Sequence, residues 1–129
     1  MPKFSLTDVF AVIDSGDEKR IWFSAKRRSV AAVIEVFRRA GTPKTYEEAV
    51  RFILEGIKTL TDADYVQTTT LFNDPTYVVD LYGVSFDGRP WYVKFRLDDD
   101  GDLEELSFHP PETEMRTVGG KLIQAGDPV

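Results

Sequence analysis

Cysteine is absent from this sequence, and histidine occurs once, at His109. The first absence excludes disulfides and thiolate metal sites, and the second excludes a multi-histidine zinc centre. No apolar run approaches the roughly 20 residues that span a bilayer, and the opening Met1-Pro-Lys-Phe-Ser-Leu6 lacks the apolar core of a signal peptide. The expectation is therefore a cytoplasmic protein without a membrane partner, working without metal or other cofactor. Bases are scarce too: 16 Lys and Arg face 22 Asp and Glu, a net charge of −6. That balance is unfavourable for holding phosphates, but its distribution is uneven. From Lys19 to Arg39 there are seven bases and one acid, and from Asp98 to Glu114 eight acids and no base. A basic N-terminal half suits nucleic acid or an acidic protein partner equally.

Several catalytic motifs are missing as well. Asp98 to Asp102 has its glycine at the fourth position instead of the sixth and no glutamate at the twelfth, so it reads as an acidic turn and not a calcium loop. Gly83-Val-Ser85-Phe-Asp87 lacks the closing glycine of a nucleophile elbow. No glycine-rich phosphate loop is present. The carboxylates cluster in turns, not in apolar strands, which leaves a glycosidase-like pair without support.

What is present suits one domain with a proper core, in a chain of 129 residues that is 42% hydrophobic and 29% charged. Residues 1–116 are expected to form it, and Thr117 to Val129, with three glycines and a proline, to be a flexible tail. Ser5-Leu-Thr7-Asp8 offers caps for a helix of two to three turns ending at Ser15-Gly16-Asp17. Ile21-Trp-Phe23 reads as a brief strand. Val30, Val33, Ile34 and Phe37 mark a helix over Arg28 to Ala40, stopped by Gly41. Thr45 and Glu48 form a capping box ahead of a third helix bearing Ala49, Phe52, Ile53 and Ile57. Tyr65 to Phe72 is β-branched and aromatic, with Asn73-Asp74-Pro75 as the turn into the next strand. Helices followed by strands predict an α+β fold, with N-terminal helices packed on one face of a mainly antiparallel sheet.

The last regular stretch, Tyr77 to His109, reads as a three-strand meander. Asp87-Gly88 is a strong signal for a two-residue hairpin turn. Trp91, Val93, Phe95 and Leu97 alternate with Tyr92, Lys94 and Arg96, so the first set faces the core and the second faces outward. After the acidic turn, Leu106 and Phe108 are expected inward, with Glu105, Ser107 and His109 outward. Folding the last two strands together sets residue 92 opposite about 107 to 109, so Tyr92 and His109 share a face and an end. The neighbours of Lys94 and Arg96 on the first strand stay open: a two-residue turn gives Val79 and Leu81, whereas a one-residue bulge gives Asp80 and Tyr82.

Asp64-Tyr65, Thr68-Thr69-Thr70, Asp80-Leu81-Tyr82, Tyr92-Val93-Lys94 and Ser107-Phe108 together resemble the MqsR-type toxins of the RelE-like superfamily. These are small ribonucleases of type II toxin-antitoxin pairs, and the match is best over about residues 60 to 112. The resemblance implies a metal-independent endoribonuclease, an mRNA interferase cleaving single-stranded RNA, with an antitoxin protein as partner. The family's active-site positions fall here on Gln67, Val79, Tyr92 and His109, of which Tyr92 alone is kept. RelE-like ribonucleases elsewhere use a late histidine as general acid or base, and an imidazole suits that task near neutral pH. The candidate catalytic set is then His109, Tyr92, Lys94 and Arg96, with Gln67, Lys26, Arg27 and Arg28 as RNA-binding candidates. The alternative is a catalytically inactive toxin fold serving as a protein-binding or regulatory module, favoured by Gln67, Val79 and the acidic pI near 4.8. Each residue also has an ordinary reading: His109 as a surface residue before Pro110-Pro111, Tyr92 as cross-strand packing, Lys26-Arg27-Arg28 as a solvated helix start.

Overall fold

A computed structural model describes residues 1–129, the side chain of Ala25 excepted. The fold has three α-helices: α1 (Leu6–Asp14), α2 (Arg28–Arg39) and α3 (Tyr46–Lys58). Ser5 occupies the N-cap of α1 without a side-chain hydrogen bond, whereas Thr45 and Glu48 make the reciprocal capping box of α3. Gly41 follows α2 at φ +77°, a left-handed conformation that a side chain disfavours. No helix is long and apolar enough to cross a membrane.

The strands are β1 (Ile21–Phe23), β2 (Tyr65–Leu71), β3 (Asp74–Phe86), β4 (Arg89–Leu97) and β5 (Leu103–His109), arranged in the order β1-β5-β4-β3-β2. All neighbours are antiparallel except β1, which runs parallel to β5 at the edge. The fold is thus α+β with a mainly antiparallel sheet. The core joins Val9, Val33, Ile53 and Ile57 of the helices to Tyr82, Trp91, Val93, Phe95 and Phe108, which are alternate residues of one sheet face. Phe52 stands at its centre, with aromatic contacts to Phe37, Phe86, Trp91 and Phe108.

The register between β3 and β4 follows the two-residue turn. Phe86 pairs with Arg89, and Leu81 pairs with Lys94, while Asp87 and Gly88 sit at φ +55° and +72°, as a type I′ turn demands. Asp80 and Tyr82 therefore face the helices. Asp80 is fully buried and accepts hydrogen bonds from the N–H groups of Lys3 and Phe4, at 2.9 Å each, and from Thr68. A carboxylate there ties the N-terminal segment to the sheet.

Three expectations are corrected. First, β5 is bulged: Lys94 pairs with Ser107 but Phe95 pairs with Glu105, so Leu106 is an extra residue and the alternation changes phase across it. Glu105 thereby points into the core, fully buried, and Leu106 does not join that core. Second, the turn between β2 and β3 lies at Phe72-Asn73, with Leu71 paired to Asp74; strand β3 takes in Asp74 and Pro75. Third, the stretch from Thr117, expected to be flexible, folds back on the sheet. Its strand β7 (Leu122–Ile123) pairs with β6 (Met115–Arg116), and Val118 and Gly119 donate to the carbonyls of Tyr65 and Ala63. Lys121 reaches Asp64 at 3.0 Å. Met115 and Ile123 bury themselves against Leu81 and Val66 on the sheet face opposite the helices.

Candidate functional site

That outer face carries the residues of interest. Tyr92 pairs directly with His109 across β4 and β5, and their rings stack, 4.8 Å between centroids at 13°. His109 Nδ1 lies 2.8 Å from the Pro110 carbonyl oxygen. A carbonyl only accepts, so Nδ1 carries the hydrogen, and in the neutral ring Nε2 is the acceptor. Lys94 Nζ stands 5.3 Å from the Tyr92 ring centroid and takes part in no ion pair among the described residues. Ser107, the cross-strand partner of Lys94, adds a hydroxyl.

Two clefts meet at this group. One, of about 450 Å³, is lined by Tyr92, Lys94, Ser107 and His109 together with Glu112 and Glu114. The other, of about 610 Å³, shares Lys94, Ser107 and His109 and extends to Lys26, Arg28 and Phe72. An imidazole, a phenol, a hydroxyl and an uncommitted ammonium are thus gathered on one rigid pair of strands. Such a set can move protons and stabilise an anion.

The other expected residues lie apart. Arg96 is bound to Glu104 at 3.0 Å with its side chain 13% exposed and stacks 4.4 Å from the Tyr77 ring centroid. Tyr77 in turn donates to Glu104, and burial together with that carboxylate pushes its phenol up to about 12. Arg96 therefore serves a structural cluster, and its charge is neutralised. Arg27 turns toward Tyr46 and a separate groove with Trp22, away from Lys26 and Arg28. Gln67 is exposed on β2 and lines neither cleft. Val79 is fully buried.

Sequence reasoning overlooked Phe72, Glu112 and the bulge that positions Ser107. For Phe72 the signal was its place beside Asn73 between two strand patterns. The acidic turn is not a convincing metal centre. Asp98, Asp100 and Asp102 have carboxylate oxygens within 4.8 Å of one another, but Asp98 Oδ1 accepts from the N–H groups of Asp100 and Asp102, at 2.9 Å each, and Arg20 pairs with Asp102 at 3.1 Å. These contacts account for the cluster as a self-stabilised turn.

Below the sheet, Glu105 accepts from Ser29 Oγ at 2.8 Å, and its second oxygen has no partner. Burial pushes its carboxyl up to about 8, only partly offset by the Ser29 hydrogen bond. It lies on the core side and takes no part in the cleft.

Compared with protein-family models and with the curated proteins, the chain finds no match. Any statement of activity rests on the site itself.

Proposed function

We propose that this chain is a metal-independent endoribonuclease of the RelE-like toxin type, acting on single-stranded mRNA in the cytoplasm and held in check by an antitoxin protein. The observation that carries the reading is the stacked Tyr92–His109 pair beside the unpaired Lys94. In this mechanism Nε2 of His109 takes the proton from an RNA 2′-hydroxyl. The 2′-oxygen attacks the adjacent phosphorus, and the 5′-oxygen of the next nucleotide leaves, giving a 2′,3′-cyclic phosphate. Lys94 offsets the charge that grows on the non-bridging oxygens. The Tyr92 phenol supplies the leaving oxygen with its proton or holds it by a hydrogen bond. The nucleophile belongs to the substrate, so no protein serine or cysteine is required. Arg96, engaged by Glu104, is left out of this scheme.

The test is incubation of the purified protein with a long unstructured RNA in excess chelator. Cleavage is expected from the wild type, with a loss on the order of 10²-fold or more in His109→Ala and a marked loss in Tyr92→Phe. Unchanged cleavage in both variants would refute the assignment. The binding-module reading draws on Glu112 and Glu114 beside the same residues, and absence of cleavage by the wild type would move the conclusion to it.

A further inference from the structure

The turn between β2 and β3 is built against its own backbone preference. Phe72 and Asn73 sit at φ +59° and +53°, where asparagine and glycine are favoured and a bulky aromatic residue is unusual. Nothing in the packing of the core calls for phenylalanine here, since Phe72 is 76% exposed. One edge of contact is supported: its ring meets Tyr77 at 5.1 Å and 69°, and Tyr77 is itself fixed by Glu104 and Arg96. The rest of the ring is open to the 610 Å³ cleft that also holds Lys26, Arg28, Lys94 and His109.

The charge of that cleft runs against the chain as a whole. Three of its lining side chains are Lys or Arg and one, Glu112, is acidic, in a protein of net charge −6. Lys26 and Arg28 also stand at the N-terminal end of α2, where positive charge opposes the helix dipole and gains nothing for the helix. A polyanion laid between β5 and α2 would meet cations on both sides and an exposed aromatic face at its rim. That combination, a cationic groove with a stacking surface, is how single-stranded nucleic acid is held without base pairing. A single strand repeats a phosphate and a flat base in every unit, so it uses the charges and the open ring together.

We propose that Phe72 is a stacking platform for one nucleobase of a single-stranded RNA, whose flanking phosphates lie on Lys94 on one side and on Lys26 and Arg28 on the other. The proposal rests on the ribonuclease reading and adds to it the substrate's position across the cleft. Phe72 is a positioning residue in this scheme and leaves the chemistry to His109 and Tyr92.

The test uses a fluorescein-labelled octanucleotide of uridine in which every 2′-hydroxyl is methylated, so that it binds without being cut. Binding is followed by anisotropy for the wild type, Phe72→Ala, Phe72→Trp and the double variant Lys26→Ala/Arg28→Ala. Phe72→Ala should weaken binding by about 5- to 150-fold, the equivalent of one lost stacking contact, and Phe72→Trp should retain it. One abasic position in the oligonucleotide should weaken binding to the wild type and leave Phe72→Ala unaffected, a response that a merely structural role would not produce. The double variant should bind more weakly and with a shallower dependence on salt. Equal binding by wild type and Phe72→Ala would overturn the platform, as would a wild type that does not bind. Cleavage of ordinary RNA by the wild type alongside equal binding would sink the platform and spare the ribonuclease reading. Binding with the expected Phe72 dependence but no cleavage would do the reverse.

Discussion

Replacing Glu105 by glutamine is expected to remove most of the pH dependence of stability between about pH 4.5 and pH 8. In the unfolded chain this carboxyl titrates at its ordinary value of 4.5, and in the folded protein burial pushes it up to about 8. Below 4.5 both states hold the proton, and the group contributes no pH dependence. Between the two values the unfolded chain releases the proton while the folded protein retains it. Stability therefore falls as pH rises, by about 1.4 kcal/mol per unit, and levels off above 8. Over the full span the loss is on the order of 5 kcal/mol, of which about 3 kcal/mol has accrued by pH 7. Glutamine keeps the acceptor for Ser29 but leaves a buried amide donor unpaired, a cost of about 1–3 kcal/mol that does not vary with pH. The two stability curves should therefore cross: the wild type is the more stable at pH 5, the variant at pH 8. Urea unfolding followed by fluorescence of Trp91, which is fully buried, at half-unit steps from pH 5 to 8.5 gives both curves. Parallel curves would refute the reasoning, because they would place the titration of Glu105 outside this range.

Three further outcomes are expected. Gly56→Ala should lower stability by about 1–2 kcal/mol in thermal or chemical unfolding, although alanine is the better helix former by about 1 kcal/mol; a Cβ there would stand 2.7 Å from the Phe108 ζ carbon. Asn73→Gly should raise stability by about 0.5–1 kcal/mol, read as a higher melting temperature, because it relieves the second left-handed position of the β2–β3 turn. Lys94→Ala and Arg96→Ala should separate cleanly. The first is expected to reduce RNA cleavage by about 10²-fold with little change in unfolding midpoint. The second should cost about 2 kcal/mol of stability by breaking the largely buried pair with Glu104, with cleavage measured well below the melting point changed far less.

The elements that could be read from residues alone are those whose signals are local. The apolar spacing of α2 and α3, the Thr45 capping box and the Asp87-Gly88 turn each depend on neighbours a few positions away. The facing of Tyr92 and His109 followed because the meander joins consecutive strands by short turns. The parallel pairing of β1 with β5 links residues about 80 positions apart, and a three-residue strand carries no local trace of it. The bulge was hidden for a different reason. Leu106-x-Phe108 mimics simple alternation, and a buried glutamate is the last residue that polarity would place inside. The C-terminal segment misled through its glycines. They read as slack, whereas Gly119 is a point of close approach, where a Cβ would lie 2.6 Å from the Ala63 β carbon, and the segment itself packs over Gly83 of β3, where a Cβ would lie 3.3 Å from Met115 and Ile123.

The extra residue at Leu106 also bears on how this strand can change over evolutionary time. In an unbroken strand one parity governs every position, so an alteration that serves one end constrains the other. With the phase reset midway, Leu103 and Glu105 answer to the interior while Ser107 and His109 answer to the cleft, and each half can accept substitutions without re-aiming its counterpart. Were Leu106 drawn into the ladder, a single parity would govern both halves, and either the acid or the imidazole would have to turn to the wrong side of the sheet.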